Sequence, residues 1–176
     1  MTYVEGFVVA VPTANRQAYL EHATGAVAFL KEFGVARMVE NWGDDVPAGT
    51  LNDFPGAVQA TGDETVVFSW FEYPDKATRD AASARMMTDP RMEAMAASMP
   101  FDGSRMIYAG FQAEVEEGSA LGTGAAGTGY VDGFILPVSP ADKDAYFAMA
   151  RSASAAFREN GATRVVETWG DDVPAG

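Results

Sequence analysis

The chain has 176 residues, 48% of them hydrophobic, and a formal net charge of −13. The apolar fraction is sufficient for a packed core and argues against disorder. Nucleic-acid binding is not expected, because it depends on lysine and arginine, which number 12 against 25 acidic residues. Without cysteine there are no disulfides or thiolate nucleophiles. No apolar run suits a signal peptide or a membrane span, so we expect a cytoplasmic protein without a membrane partner.

Four segments rich in β-branched and aromatic residues predict strands: 3–11, 35–42, 65–73 and 105–111. Between these strands, apolar residues at helical spacing predict helices at 14–33, 75–88 and 90–98. Thr13 is suited to cap the first helix, and Gly34 is suited to end it. A long turn-rich loop, 43–62, follows the second strand, and a loop of this length is often functional.

The resulting order, β-α-β-β-α-β, predicts an α+β protein built on a ferredoxin-like module. Such a module packs its helices on one face of the sheet. The opposite face is also apolar here, because strands 35–42 and 65–73 carry hydrophobic residues on both sides. A sheet of this kind needs a second cover. We expect the sheet of another module to supply it, either within one chain or across a homodimer.

The sequence contains an internal repeat with an offset of 127 residues. Residues 3–49 align without a gap with residues 130–176, and about half of the aligned positions are identical, far more than chance allows. The segment 42–49 returns unchanged as 169–176. The second copy stops at Gly176 and is incomplete in this sequence, and we expect the natural protein to continue it.

The residues between the copies are rich in glycine, alanine and threonine, which predicts a flexible linker. We therefore divide the chain into three parts: a complete ferredoxin-like module at 1–112, a linker at 113–128, and the N-terminal part of a second module at 129–176. In the second copy, Ser139 and Pro140 predict the start of the helix as a cap and a first-turn proline.

Several motifs occur in an order that resembles the family called domain of unknown function 1428: 4–9, 42–47, 65–70, 89–92 and 99–108. The resemblance covers residues 1 to 112 completely and 129 to 176 in part. It implies a dimeric α/β-barrel with a ferredoxin-like module, and it implies no activity. Related barrel superfamilies include cofactor-independent monooxygenases, haem-degrading enzymes and stress-responsive proteins. Extending their chemistry to this chain is an analogy of fold alone.

Glu40 is the strongest candidate for a catalytic residue in the sequence. By alternation it shares one face of its strand with Met38 and Trp42, and Glu167 holds the same place in the second copy. If that face lines the barrel, the carboxyl points into an apolar cavity, where burial would raise its pKa and suit it to proton transfer as a catalytic group. The alternatives are an ion pair with an arginine, such as Arg37 or Arg105, or exposure at a sheet edge.

Six further residues are candidates for contacting a small apolar ligand. Aromatic side chains can line a pocket for a flat molecule, although aromatics on strands are usually core residues. Arginines can hold a ligand carboxylate through two hydrogen bonds, although they more often pair with an internal acid. The candidates are Trp42, Trp70, Arg91, Phe101, Arg105 and Tyr108.

The sequence predicts neither a metal nor a cofactor. Asp44 and Asp45 are adjacent acids, but two neighbouring side chains rarely supply a complete metal site and more often stabilise a turn. His22 is the single histidine and is replaced by Met149 in the second copy, which argues against histidine metal clusters and serine–histidine triads.

These observations leave three functions open. The first is a small-molecule-binding barrel without established catalysis, anchored by Glu40 and Arg105. The second is a cofactor-independent oxygenase or isomerase that uses Glu40 as its base. The third is a structural or interaction module, which a solid interior would favour.

Overall fold

The structure is a computed structural model that describes residues 1–119 and 129–175. These residues form two compact units, one comprising Met1–Phe111 with Gly170–Gly176 and the other comprising Gln112–Trp169. Each unit has a hydrophobic core of its own.

The first unit contains β1 (Tyr3–Pro12), α1 (Arg16–Phe33), β2 (Arg37–Trp42), α2 (Phe54–Ala57), β3 (Glu64–Tyr73), α3 (Lys76–Met86), α4 (Pro90–Ala97) and the start of β4 (Ile107–Gly118). The predicted α+β order is confirmed, with the short α2 added inside the long loop. Asp75 and Asp89 cap α3 and α4, because their side chains accept hydrogen bonds from backbone N–H groups in the first turn.

The sheet of the first unit has the strand order β2-β3-β1-β4. β3 runs antiparallel to both β1 and β2, so those two strands are parallel, with β3 inserted between them. This is the split β-α-β arrangement of a ferredoxin-like module. The register places Val8 opposite Phe68 and Glu40 opposite Ser69.

The helices cover one face of this sheet. Alternate residues of β1, such as Tyr3, Val9 and Val11, point towards the helices and are at most 2% exposed. They pack with two groups of buried residues from α1, which include Leu30 near its C-terminal end and Tyr19 near its N-terminal end.

The opposite face is covered in part by the chain's own loop. Val8, Ala10 and Val66 pack against Val58, which is fully buried, and against Phe54 of α2. The segment 54–60 supplies part of the cover that this face was expected to need, and the expected pairing with the sheet of another module stays a prediction. The function of the loop at this position is to shield apolar strand residues from water.

The start of α1 differs from the sequence prediction. Thr13 does not cap the helix, because a single turn of 3-10 helix, Thr13–Asn15, precedes α1. The Thr13 hydroxyl instead lies 2.9 Å from the Thr65 hydroxyl on β3. The end of α1 is as predicted: Gly34 has a φ of 112°, and its N–H donates to carbonyls of the last turn.

The second unit contains the remainder of β4, together with α5 (Lys143–Glu159) and most of β5 (Arg164–Asp172). β4 and β5 are neighbouring strands. Offset by 127 residues, α5 coincides with Arg16–Glu32, and Gly161 repeats the positive φ of Gly34. The structural repeat predicted from the sequence is present in these elements, and Ser139 caps the helical start with a hydrogen bond from Ala141 N–H.

Two segments differ from their predicted structure. β4 was predicted to end at Phe111 but continues to Gly118, through the start of the predicted linker. The buried Ala113 and Val115 alternate with exposed glutamates, which is a strand pattern that the linker's overall composition concealed. Residues 120–128 of that linker lie outside the described residues. Residues 130–138, the repeat of β1, have no regular secondary structure, and no described strand pairs with them.

None of the helices within 1–119 and 129–175 is long and apolar enough to cross a membrane.

A buried ion pair connects β1 to α3. Arg79 donates two hydrogen bonds to one oxygen of Glu5, at 2.9 and 3.2 Å, and Tyr73 donates to the other oxygen at 3.3 Å. Arg79 and Glu5 are 7% and 8% exposed. Removing one partner of such a pair leaves the other charged and desolvated.

We predict that Arg79→Met lowers the free energy of unfolding by about 3–5 kcal/mol, because Glu5 then stays buried without its cation. Urea denaturation measures this change. Arg151→Met, at an exposed position on α5, is the matched control and should change stability by less than about 0.5 kcal/mol. Equal effects of the two substitutions would contradict the prediction.

Candidate functional site

The candidate site is a hydrogen-bonded pair between α1 and β2. The hydroxyl of Tyr19 donates to Oε2 of Glu40 at 2.5 Å. Ser69 lies opposite Glu40 in the β2–β3 register and also hydrogen-bonds to its carboxyl. Glu40 therefore points towards the helix-covered face of the sheet, where its oxygens are held by hydroxyl groups.

This environment perturbs the pKa values of both partners. Burial raises the pKa of Glu40, and the hydrogen bonds from Tyr19 and Ser69 partly oppose that rise. Burial, and then the charge of Glu40, raise the pKa of Tyr19 well above its ordinary value. Tyr19 consequently stays protonated as a donor, while Glu40 is a carboxyl that gains and loses its proton closer to neutral pH than an ordinary glutamate.

Aromatic rings surround the pair. The ring of Tyr19 lies 6.2 Å from that of Trp42 and 5.8 Å from that of Phe101. The His22 ring meets Phe101 edge-on at 6.3 Å, and burial lowers the pKa of His22. The guanidinium of Arg16 lies 5.4 Å from the Trp42 ring centre. Glu40, Trp42 and Phe101 are all partly accessible to solvent, so a small molecule could reach them from outside.

The second unit builds the same arrangement from its own residues. Tyr146 donates to Glu167 at 2.7 Å, and Lys143 lies 5.2 Å from the ring centre of Trp169. These residues occupy the repeat positions of Tyr19, Glu40, Arg16 and Trp42. Burial and the hydrogen bond to Glu167 raise the pKa of Tyr146 to about 12. These four positions thus carry the same residue or a residue of the same charge in both copies, although about half of the aligned residues differ.

The structure brings Glu40, Trp42 and Phe101 together and places Trp70 elsewhere. Trp70 lies on the opposite face of the sheet, where its ring contacts Phe68 with ring centres 5.6 Å apart. Its indole N–H donates to Glu72 at 2.9 Å.

The two predicted arginines are held in ion pairs away from Glu40. Arg105 donates to both oxygens of Glu64, at 2.6 and 2.8 Å, and lowers the pKa of Glu64 to about 2. Arg91 pairs with Asp89 and Glu32 on the outside of the helical layer.

Tyr108, at the start of β4, is 48% exposed. Arg37, which was considered as an ion-pair partner of Glu40, pairs instead with Glu72 at 2.6 Å.

Sequence reasoning missed Tyr19 and Ser69. Tyr19 occupies one of the apolar positions in the helical pattern of α1, and its ring is buried. The signal that identifies it is the joint recurrence of Tyr19 with Tyr146 and of Glu40 with Glu167 at the same offset. Ser69 has no counterpart within the 176 residues, and only the strand register reveals it. In the described ranges, no three His, Asp or Glu side chains are grouped to hold a metal ion.

The sequence profile of one protein family matches residues 2–103 and 129–176, and this family is described as "Protein of unknown function (DUF1428)". The chain belongs to the DUF1428 family. The two matched segments correspond to the complete copy and the partial copy of the repeat. The earlier resemblance is therefore confirmed.

The chain is also similar to named relatives and to solved structures. The chain is 56% identical to uncharacterized protein YbaA of Escherichia coli strain K12, over 66% of this chain and all 117 residues of that protein, and equally to YbaA of Shigella flexneri. A dimeric ferredoxin-like protein from an uncultured marine organism is 11% identical, with a TM-score of 0.41 over 62% of this chain and 90% of that one. An ethyl tert-butyl ether d (EthD) family protein from Bacillus halodurans is 16% identical, with a TM-score of 0.35 over 61% and 95%.

We predict that Tyr19→Phe raises the pKa of Glu40 further, because the Tyr19 hydrogen bond favours the charged carboxylate. Carbon-13 NMR of the glutamate side-chain carboxyls, followed through a pH titration, measures this shift. Tyr146→Phe is the matched control, since it removes the equivalent hydroxyl beside Glu167 and should leave Glu40 unchanged. A lower pKa for Glu40 in Tyr19→Phe would contradict the prediction.

We also predict a pH dependence of stability. The folded protein binds a proton at Glu40 more readily than the unfolded chain does, so stability falls as pH rises from the ordinary glutamate pKa through the raised one. Glu40→Gln removes this loss. The change that this substitution causes in the free energy of unfolding should therefore be more favourable at about pH 7 than at about pH 4. Urea denaturation at both pH values measures the difference. Glu93→Gln, at an exposed position on α4, should show no such dependence, and an equal response of both variants would contradict the assignment.

Proposed function

We propose that the DUF1428 module binds a small molecule at the Tyr19–Glu40 pair. The observation that carries the proposal is a carboxyl held by two hydroxyl groups beside partly accessible aromatic rings. A carboxyl with a purely structural role usually ends in an ion pair with a basic residue, as Glu64 does with Arg105. Retention of the pair as Tyr146 and Glu167 supports a role common to both copies.

The surroundings of the pair favour a neutral, flat ligand. Trp42 and Phe101 offer ring surfaces for stacking or edge contacts, which suits a planar molecule. The partly buried Glu40 disfavours a second negative charge close to it. A ligand hydroxyl or carbonyl can hydrogen-bond to Glu40 in its charged or its protonated form, respectively. We therefore propose a small aromatic or conjugated molecule with one such polar group.

Proton transfer is the second candidate function. It is favoured by the raised pKa of Glu40 together with the donor hydroxyl of Tyr19 on the same carboxyl. A general base works best when its pKa lies near the operating pH. In this version Glu40 removes a proton from the bound molecule, as in a cofactor-independent isomerase or oxygenase, and Tyr19 holds the carboxyl in position.

Trp70, Arg91, Arg105 and Tyr108 are not included in this proposed pocket: Trp70 lies on the opposite face of the sheet, the two arginines are held in ion pairs, and Tyr108 is 48% exposed. We propose instead that the sheet face bearing Trp70 pairs with a second module, in a homodimer or within one longer chain. The partly buried Phe68 and Trp70 on that face support this pairing. We further propose a cytoplasmic location without a nucleic-acid partner, in keeping with the acidic composition.

Ligand-detected NMR on the whole chain tests the binding site, with neutral bicyclic phenols and ketones such as naphthols and tetralones as probes. We predict that at least one probe binds and that Trp42→Leu weakens its affinity by about tenfold, because part of the aromatic surface is lost. Glu40→Gln should leave affinity within about fivefold if a single neutral hydrogen bond is replaced. Hydrogen–deuterium exchange at the probe's acidic C–H should fall by about 100-fold or more in Glu40→Gln if Glu40 is a base.

Glu93→Gln is the matched control and should behave as the unmodified chain in both measurements. Binding that is unaffected by Trp42→Leu would place the ligand elsewhere. A complete lack of binding by the panel, with no retained compound in the native mass spectrum of the purified chain, would contradict the binding function. Binding without proton exchange would eliminate the enzymatic candidate alone.

A further inference from the structure

The acidic residues that end β5 are bound by a group of residues from the start of β1 and from α3. Oδ2 of Asp172 accepts a hydrogen bond from Nη1 of Arg79 at 2.6 Å. Oδ2 of Asp171 accepts one from the Tyr3 hydroxyl at 3.1 Å and lies 3.1 Å from Nζ of Lys76. All of these residues belong to the first compact unit. We call Tyr3, Lys76 and Arg79 the receptor cluster. We call residues 169–173, and the equivalent residues 42–46 of the first copy, the Asp-Asp segment.

The receptor cluster is a built site. Tyr3 is fully buried and Arg79 is 7% exposed, so neither is a mobile surface side chain. Glu5 holds the Nε and Nη2 groups of Arg79, and Nη1 donates to Asp172 as well as to Asp80 at 3.2 Å. The Lys76 ammonium lies 5.1 Å from the centre of the Tyr3 ring. Fixed donors lose little side-chain entropy when an acid binds.

The Asp-Asp segment occurs twice in the chain. Residues 42–49 and 169–176 are identical, and Asp44 and Asp45 correspond to Asp171 and Asp172. The side chains of Asp44 and Asp45 are exposed. The strands that precede them, 37–42 and 164–169, are repeat-equivalent, although Asp44 and Asp45 follow β2 in a bend whereas Asp171 and Asp172 lie within β5. A segment with the sequence of the bound one is therefore also present at the surface of the first module.

We propose that the Asp-Asp segment is a further element by which one DUF1428 module binds another, in addition to the sheet face bearing Trp70, and that Asp44 and Asp45 bind the receptor cluster of a second copy of the module. In this chain the second copy's segment occupies the receptor cluster of the first. In a protein with a single module, two chains exchange the segments reciprocally, which gives a self-complementary two-fold interface. Glu40 and Tyr19 take no part, so this inference is independent of the proposed ligand site.

Charge favours a copy of this chain over an unrelated partner. The chain has a net charge of −13, and the receptor cluster concentrates two of its 12 basic residues around one acidic segment. An arbitrary acidic peptide would supply the charge but not the tryptophan and glycine that precede the aspartates in both copies. The inferred specificity is therefore for 42–47 and its repeat.

The test uses the full chain and a labelled peptide with the sequence of residues 40–49. The double variant Asp171→Asn with Asp172→Asn frees the receptor cluster from the second copy's segment, because both charged contacts between them are lost. Fluorescence anisotropy at low salt should show the peptide binding this variant at least tenfold more tightly than it binds the unmodified chain. A peptide with asparagine at positions 44 and 45 should show at least a tenfold loss of affinity. Equal binding of the two peptides would overturn the proposal.

Asp142→Asn with Asp144→Asn is the matched control, because it removes the same charge from exposed positions near the start of α5 and should bind no more peptide than the unmodified chain. If the test variant is unfolded by circular dichroism, carbodiimide cross-linking of the unmodified chain replaces it. The chain has three lysines, so a Lys76–Asp171 amide is readily assigned by mass spectrometry. An excess of the peptide that keeps Asp44 and Asp45 should lower the yield of the Lys76–Asp171 amide and form a Lys76–peptide product. An unchanged yield of the amide without such a product would overturn the proposal.

Discussion

The need to satisfy carboxylates on a sheet that is apolar on both faces governs this module. Glu5, Glu40 and Glu72 stand on adjacent strands, and each is at least partly removed from water. Arginines neutralise Glu5 and Glu72. Glu40 is held instead by the hydroxyls of Tyr19 and Ser69, which supply hydrogen bonds but no charge. Its pKa is raised as a consequence, and it is the carboxyl best suited to exchange protons.

The internal repeat acts as a comparison between two versions of one module. About half of the aligned residues differ, including His22, which corresponds to Met149. The tyrosine–glutamate pair, the neighbouring tryptophan with its overlying cation, and the Asp-Asp segment are kept in both copies. These features lie close together along one strand: Glu40 and Trp42 face α1 from β2, and Asp44 and Asp45 follow its last residue. A single element, β2 or its repeat, therefore connects the proposed ligand site with the proposed module interface.

Several structural details followed from the sequence because they depend on local pattern. The element order of the first module, the glycine at the end of α1, the Ser139 cap, and the repeat of helix and strand are all visible in spacing and residue type. The extension of β4 was overlooked because a short alternation of buried and exposed residues adjoins a glycine-rich stretch. The face on which Glu40 lies, shared with Met38 and Trp42, was also correctly predicted by alternation.

The sequence by itself determined the module, its repetition and the strand face of Glu40, since these follow from periodicity and residue identity. Tertiary structure alone decided which groups meet across elements. It separated Trp42 from Trp70 on opposite faces, although both are tryptophans on neighbouring strands. It also placed Tyr19 against Glu40, and Arg79 against both Glu5 and Asp172. The physical reason is that such contacts depend on strand order, register and helix packing, and these are set by burial of the whole core rather than by any one segment.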